Sequence, residues 1–242
     1  MLKVLFDNLS DNDKNNAIAN IIEHATPRLD FFVMMMLSVA MAAFGILLNS
    51  VVILIGSMLI APLLYPVLSL GLGIITADGK LMGHSFYTIL KSSLLAIIAS
   101  FVIGLLFSGS GSADFIPYLA SGSSSLLMYV IIAAIAGFAA ALAVAKPYLN
   151  ETLPGVAISV ALVPPLAVMG VGLSTLKWTM FSDALLIFIV NIIGIMFSSM
   201  IVFSLFKFSR KRKVTEEAVK EEEKVIKKES KEKEIGKNAP NN

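Results

Sequence analysis

Several residues of this chain recur after a constant interval of 99 positions, and this recurrence constrains the fold more than any other feature. Two apolar stretches carry the matches, which pair Gly56 with Gly155, Pro66 with Pro165, Gly71 with Gly170 and Gly73 with Gly172. The same interval places the hydrophobic runs 31–48 and 88–107 on 130–147 and 187–206. The pattern predicts a duplicated unit.

Hydrophobicity and the placement of charge indicate a membrane protein. Hydrophobic residues make up 57% of the 242 residues, and the mean hydropathy of +0.83 is far above that of soluble domains. Of the 36 charged residues, 28 lie in the two tails. The net charge of +2 is therefore an average over an apolar body and polar ends, and it does not indicate a nucleic-acid partner.

Six apolar segments predict an all-α polytopic fold with six transmembrane helices. They lie at 31–48, 51–75, 88–107, 125–145, 154–174 and 181–206. Most of them reach the length of about 20 residues that a bilayer core requires. Because three spans per repeat is an odd number, the second repeat (125–206) enters the membrane from the face opposite to the first (31–107). The sequence therefore predicts inverted repeats about a pseudo-two-fold axis in the membrane plane.

Lysine and arginine in the connections predict that both termini are cytoplasmic, in a multi-pass protein of the cell membrane. The N-terminal segment 1–30, the loops that hold Lys80 and Lys146, and the C-terminal tail lie on one side. The 108–124 linker, which contains no lysine or arginine, lies on the other. Within the N-terminal segment, residues 11–25 have the spacing of a short amphipathic helix.

The second and fifth spans are predicted to be broken at matching places and to hold the functional site. Their prolines remove backbone donors, and carbonyls freed in lipid need a neighbouring helix, water or a ligand. Broken helices at matching places in inverted repeats point to a midplane site for a small ion or polar solute. Proline kinks and glycine packing notches that serve packing alone are the structural alternative. The predicted site residues are Ser57, Pro62, Pro66, Ser159, Pro164, Pro165 and Asn191.

Residues for enzymatic chemistry are missing from the predicted spans. The chain has no cysteine, and its two histidines lie outside those spans, so the membrane serines have no nearby base. The sequence predicts no enzyme, no cofactor and no metal site. A non-transporting scaffold or partner-binding subunit that docks through its charged tail is the alternative to a transporter or channel.

The charged tail, residues 207–242, begins with a basic cluster that predicts contact with anionic lipids. The cluster consists of Lys207, Arg210, Lys211, Arg212 and Lys213. Beyond it glutamate and lysine alternate with almost no apolar stripe, a pattern typical of a solvated helix or of disorder. A homo-oligomer is compatible with such a chain.

Several segments resemble a known family. The stretches ATPRLDFFVMMMLSVAMAAFGILLNS, VILIGSMLIAPLLYPVLSLGLG and TADG (76–79) are similar to the first half of domain of unknown function family 389, a family of uncharacterised hydrophobic-domain membrane proteins. LPGVAISVALVPPLAVMGVGL (153–173) and IVNIIGI (189–195) are similar to its second half. The resemblance covers roughly residues 20–206 and implies a prokaryotic integral membrane protein. It implies no substrate or activity, and the charged tail departs from the family's common core.

Overall fold

The computed structural model describes residues 9–107, 126–146, 148–149 and 162–237. Within these ranges the fold is all-helical, without a strand, and contains nine α-helices followed or joined by short turns. They are α1 (Asp11–Ala25), α2 (Leu29–Leu47), α3 (Val51–Ile60), α4 (Leu64–Thr76), α5 (Gly79–Phe107), α6 (Leu126–Ala145), α7 (Val163–Ser174), α8 (Trp178–Leu205) and α9 (Arg212–Lys237). A 3-10 helix, Phe208–Arg210, precedes α9. The predicted linker 108–124 lies outside the described residues.

Four of the described helices are long and apolar enough to cross a membrane, namely α2, α5, α6 and α8. Helices α3 and α4 meet at a bend of 50° and together make a fifth candidate span. Helix α7 has 12 residues, which is too short to cross alone, and 150–161 lie outside the described residues. The described part of the chain therefore supports a multi-pass membrane protein with four to five candidate spans, where the sequence predicts six.

The third predicted span begins earlier than expected, at Gly79 rather than at residue 88. Asp78 explains the early start, because its Oδ1 accepts hydrogen bonds from the backbone N–H groups of Lys80 (3.0 Å) and Leu81 (3.1 Å). This cap satisfies donors of the first turn that have no partner inside the helix. At 29 residues, α5 is about 43 Å long.

Helix α1 confirms the predicted amphipathic helix. Ser10 and Asp13 form a capping box at its start. The apolar side of the helix is buried in the core, with Ala17, Ile18, Ile21 and Ile22 each at most 5% exposed. Helix α1 packs against α4 and α9, so it covers one end of the bundle.

That end, called the basic end below, gathers α1, the turn between α4 and α5, and α9. Helix α9 packs on α1 and on α5. Two ion pairs join α9 and the segment before it to the N-terminal part, Arg28 with Glu222 (2.6 Å) and Lys211 with Asp11 (3.0 Å). Lys146, at the end of α6, lies over the Phe206 ring at 5.8 Å.

The opposite end is formed by the α2–α3 turn, the end of α5 and the α7–α8 turn. The rings of Phe44 and Phe107 are 5.3 Å apart there, and Ser174 packs against Gly104. The turn that leads into α5 and the turn that leads into α8 therefore lie at opposite ends of the bundle.

The tail forms a helix, one of the two predicted alternatives, but one face of its first part is packed against the protein and is not solvated. Helix α9 begins at Arg212, and Thr215 and Val219 on it are 0% and 4% exposed. The apolar face was missed because it is short, and because the contact that fixes the helix, between Arg28 and Glu222, joins residues 194 positions apart.

Candidate functional site at two helix starts

The break between α3 and α4 follows from Pro62. The residue before a proline is driven out of the α region, and Ala61 is extended, with φ −73° and ψ 127°. Pro62 also has no N–H to donate to the carbonyl of Met58. Helix α3 therefore ends at Ile60, and the chain turns before α4 begins.

Helices α4 and α7 both begin inside the bundle. Pro66 lies in the first turn of α4, and Pro164 and Pro165 lie in the first turn of α7. The sequence predicts that these prolines remove donors in the middle of a helix, whereas a first turn has no intrahelical acceptor for its N–H groups. They therefore start helices, and among the prolines of the predicted site only Pro62 acts at a helix end.

The residues before both starts are buried, and no side chain among the described residues caps either start. Leu63 and Leu162, the residues before α4 and α7, are 2% and 4% exposed, and neither helix receives a side-chain hydrogen bond at this position. A helix start carries partial positive charge on its free N–H groups, although Pro66 in α4 and Pro164 and Pro165 in α7 have no N–H to contribute. Two such ends within an apolar bundle can polarise an anionic or carbonyl-bearing group.

Ser57 is buried beside the break, but its hydroxyl is used locally. Its Oγ donates to the Leu54 carbonyl oxygen at 2.6 Å. Its own carbonyl oxygen accepts a hydrogen bond from Ser38 Oγ on α2 at 2.7 Å. The backbone carbonyl of Ser57, near the end of α3, therefore links α3 to α2 by a hydrogen bond.

Asn191 lies on α8 and is 4% exposed. Helix α8 packs on both α4 and α7, so Asn191 belongs to the helix that contacts both of these short helices. Its counterpart one interval earlier, Ser92, is also buried and donates to the Thr88 carbonyl oxygen at 2.7 Å. Ser159 lies outside the described residues.

The 99-residue interval reappears in the helix bounds and turns. Helices α4 and α7 start at Leu64 and Val163, and α5 and α8 at Gly79 and Trp178. Both preceding turns place a non-glycine residue in the left-handed region, Ala77 with φ 53° and Leu176 with φ 56°. Nine of the ten buried residues of α5 have a buried counterpart on α8, so the two helices present equivalent faces to the bundle.

Contacts between the halves are also reciprocal. Gly71 on α4 packs against Ser199 on α8, and Gly170 on α7 packs against Ser100 on α5. Small residues at such crossings let membrane helices approach closely. Sequence reasoning found the glycines but missed their serine partners, although Ser100 and Ser199 are themselves 99 positions apart.

Sequence comparisons agree with the resemblance described above. Residues 58–197 match the family described as "Domain of unknown function (DUF389)". The chain belongs to this family. An uncharacterized protein of Methanocaldococcus jannaschii is 35% identical over 176 residues, which are 73% of this chain and 54% of that relative. The chain thus spans about half the length of this relative, and no solved structure matches it.

Proposed function

We propose that the chain is a membrane transporter or channel that moves a small ion or polar solute through a site between the broken second and fifth spans. The observation that carries the proposal is the pair of buried helix starts at Leu64 and Val163, which receive no side-chain cap from the residues that the structure describes. Their polar groups cannot face lipid without cost. Interrupted helices at corresponding positions are the arrangement in which repeat transporters hold their substrates.

The proposed architecture is a pair of inverted repeats, 31–107 and 125–206. The reciprocal glycine–serine contacts support it, because a two-fold relation requires that if one residue touches a second, their equivalents also touch. The positions of the α4–α5 and α7–α8 turns at opposite ends of the bundle support the inverted sense. Lysine and arginine concentrate at the basic end, which supports cytoplasmic termini.

The site would be lined by the predicted residues Ser57, Pro62, Pro66, Ser159, Pro164, Pro165 and Asn191. None of them carries a fixed charge, so backbone carbonyls and helix ends would hold the transported species. Within the predicted lipid-binding cluster, Lys211 and Arg212 are engaged by Asp11 and Glu216. Arg210 and Lys213 are exposed and remain the proposed contacts to anionic lipid.

The test replaces both prolines of α7 by alanine. The variant Pro164→Ala/Pro165→Ala restores two N–H groups and allows the helix to extend into the break, so flux through the site should change. Purified protein in vesicles would be assayed with ion-sensitive dyes for K⁺, Na⁺ and Cl⁻ and with light scattering for neutral solutes.

The matched control is Leu186→Ala, which truncates a side chain on α8 that is 48% exposed and should leave flux unchanged. A species that crosses protein-containing vesicles faster than empty ones, at a rate that the double variant alters, supports the proposal. Vesicles that conduct none of these species, or a double variant that transports like the control, would contradict it and favour the scaffold alternative.

A further inference from the structure

A cavity of about 450 Å³ opens at the basic end, between the start of α5 and the first turns of α9. Its polar lining consists of Asp78, Lys80, Arg212, Glu216 and Lys220. A volume of this size lies in the range of sites for small molecules and far exceeds the space of a single water. The cavity includes Asp78, which follows the C-terminal end of α4, whereas the transport proposal concerns the starts of α4 and α7; the inference therefore does not depend on that proposal.

Asp78 supplies the observation that points to a ligand. The residue is 4% exposed, and its Oδ1 is occupied as the cap of α5. Its Oδ2 is buried and has no hydrogen-bond partner among the described residues. A buried carboxylate oxygen without a donor is costly, and Asp78 is one of the residues that line the cavity, so a ligand that brings an N–H or O–H group to this oxygen would remove that cost.

The other charged residues of the lining are three cations, Lys80, Arg212 and Lys220, and one carboxylate, Glu216. Arg212 Nε donates to Glu216 Oε1 at 2.9 Å, so this pair is largely neutralised. The ammonium groups of Lys80 and Lys220 remain on side chains that are exposed toward solvent. Among the described residues the cavity therefore combines one acceptor that lacks a donor with two cations, and a matching ligand carries a hydrogen-bond donor and an anionic group.

We propose that this cavity binds a phosphate ester that carries a hydroxyl or amino group. The phosphate lies between Lys80 and Lys220, and the hydroxyl or amino group donates to Asp78 Oδ2. Inorganic phosphate would satisfy the lysines but fit the carboxylate less well, and a simple amine would be repelled by the lysines. Because the cavity joins α9 to the turn before α5, the ligand would also hold the tail against the membrane bundle.

The test uses the full-length chain purified in non-ionic detergent, with glycerol 3-phosphate as probe and titration calorimetry as readout. Asp78→Asn keeps an Oδ1 that can cap α5 but converts Oδ2 into a donor. Lys220→Gln removes one cation. The matched control is Lys224→Gln, one turn further along α9, exposed and outside the cavity lining.

We expect saturable binding that is tighter for glycerol 3-phosphate than for inorganic phosphate. Asp78→Asn and Lys220→Gln should each weaken it about tenfold or more, since hydrogen bonds to charged groups have that magnitude. Lys224→Gln should bind like wild type. Thermal melting of each variant would verify that it is folded.

The same ester chemistry occurs in lipid headgroups, so a second arm measures retention of phosphatidylglycerol by native mass spectrometry of protein from nanodiscs. Retention that Asp78→Asn abolishes, with no binding of the soluble probe, would identify a lipid as the source and support the site. Equal binding by wild type and Asp78→Asn in both arms, or no binding in either, would overturn the proposal.

Discussion

Alanine at Gly170 is expected to destabilise the protein strongly, because α7 crosses α5 there at backbone contact. A Cβ built on Gly170 would lie 2.6 Å from the carbonyl oxygen of Ile97 and 2.6 Å from the nitrogen of Phe101. Backbone atoms cannot rotate away as a side chain can. Overpacking usually costs about 1–3 kcal/mol, and we expect Gly170→Ala to reach about 3 kcal/mol.

Gly83 provides the matched control on α5. It is exposed, and an added Cβ would meet no atom within 4 Å. Gly83→Ala should therefore leave packing unchanged and stabilise the helix by about 0.5–1 kcal/mol, because alanine loses less conformational entropy than glycine.

At the equivalent crossing of α4 and α8, the cost of alanine at Gly71 should be largely relieved by a second substitution at Ser199, unlike the cost at Gly170. Its added Cβ would meet mainly the Ser199 hydroxyl, whereas the nearest backbone atom, the Met196 carbonyl oxygen, is 3.3 Å away. Gly71→Ala should cost about 1–2 kcal/mol, and Ser199→Ala should relieve most of it, with a coupling of about 1 kcal/mol. The corresponding relief of Gly170→Ala by Ser100→Ala should be only partial.

The assay is reversible unfolding in mixed micelles, in which the SDS fraction is raised and helix content is followed by circular dichroism. Free energies of unfolding would be compared among the single and double variants. A Gly170→Ala protein as stable as Gly83→Ala would refute the close crossing of α7 and α5. Additive effects of the Gly71 and Ser199 substitutions would refute the contact between α4 and α8.

Two further predictions concern the contacts at the basic end. The hydrogen bond and charge of Lys211 lower the pKa of Asp11 below its ordinary value of 3.8. Because the pKa is lower in the folded state, the ionised carboxylate stabilises the fold. This stabilisation is present above the unfolded-state pKa and is lost as pH falls through the folded-state pKa. In Lys211→Gln an NMR titration should show the Asp11 pKa rising toward 3.8, and an unchanged pKa would contradict the contact. Glu222→Gln should increase amide hydrogen exchange in α9, because it removes the carboxylate that lies 2.6 Å from Arg28. The control is Glu217→Gln, at an exposed position. Equal exchange in the two variants would show that the Arg28–Glu222 pair does not hold the helix.

Local sequence patterns predicted the features that depend on neighbouring residues. The amphipathic spacing of 11–25 identified α1, and Pro62 identified the break after α3, because both effects act within a few positions. The interval of 99 residues also identified α4 and α7 as equivalent helices, since proline fixes the backbone and glycine frees it wherever they occur.

Features that depend on distant contacts were not predicted. The first part of α9 carries two well-buried residues, Thr215 and Val219, too few to form a visible apolar stripe. Its docking depends on Arg28, 194 positions from Glu222. Hydropathy likewise placed the start of α5 too late, because Lys80 and His84 interrupt the apolar run but are compatible with a helix once Asp78 caps it.

The inverted arrangement of the two halves is tested most directly by comparing one position in both repeats. Lys80 and Thr179 are 99 positions apart, exposed, and placed at the second residue of α5 and of α8. The chain contains no cysteine, so Lys80→Cys and Thr179→Cys each introduce a single reactive thiol. In intact cells a membrane-impermeant maleimide should label the protein at position 179, and at position 80 only after the membrane is permeabilised. Labelling of both positions from the same side would contradict the inverted repeat, and with it the pairing of the two broken spans on which the proposed transport site rests.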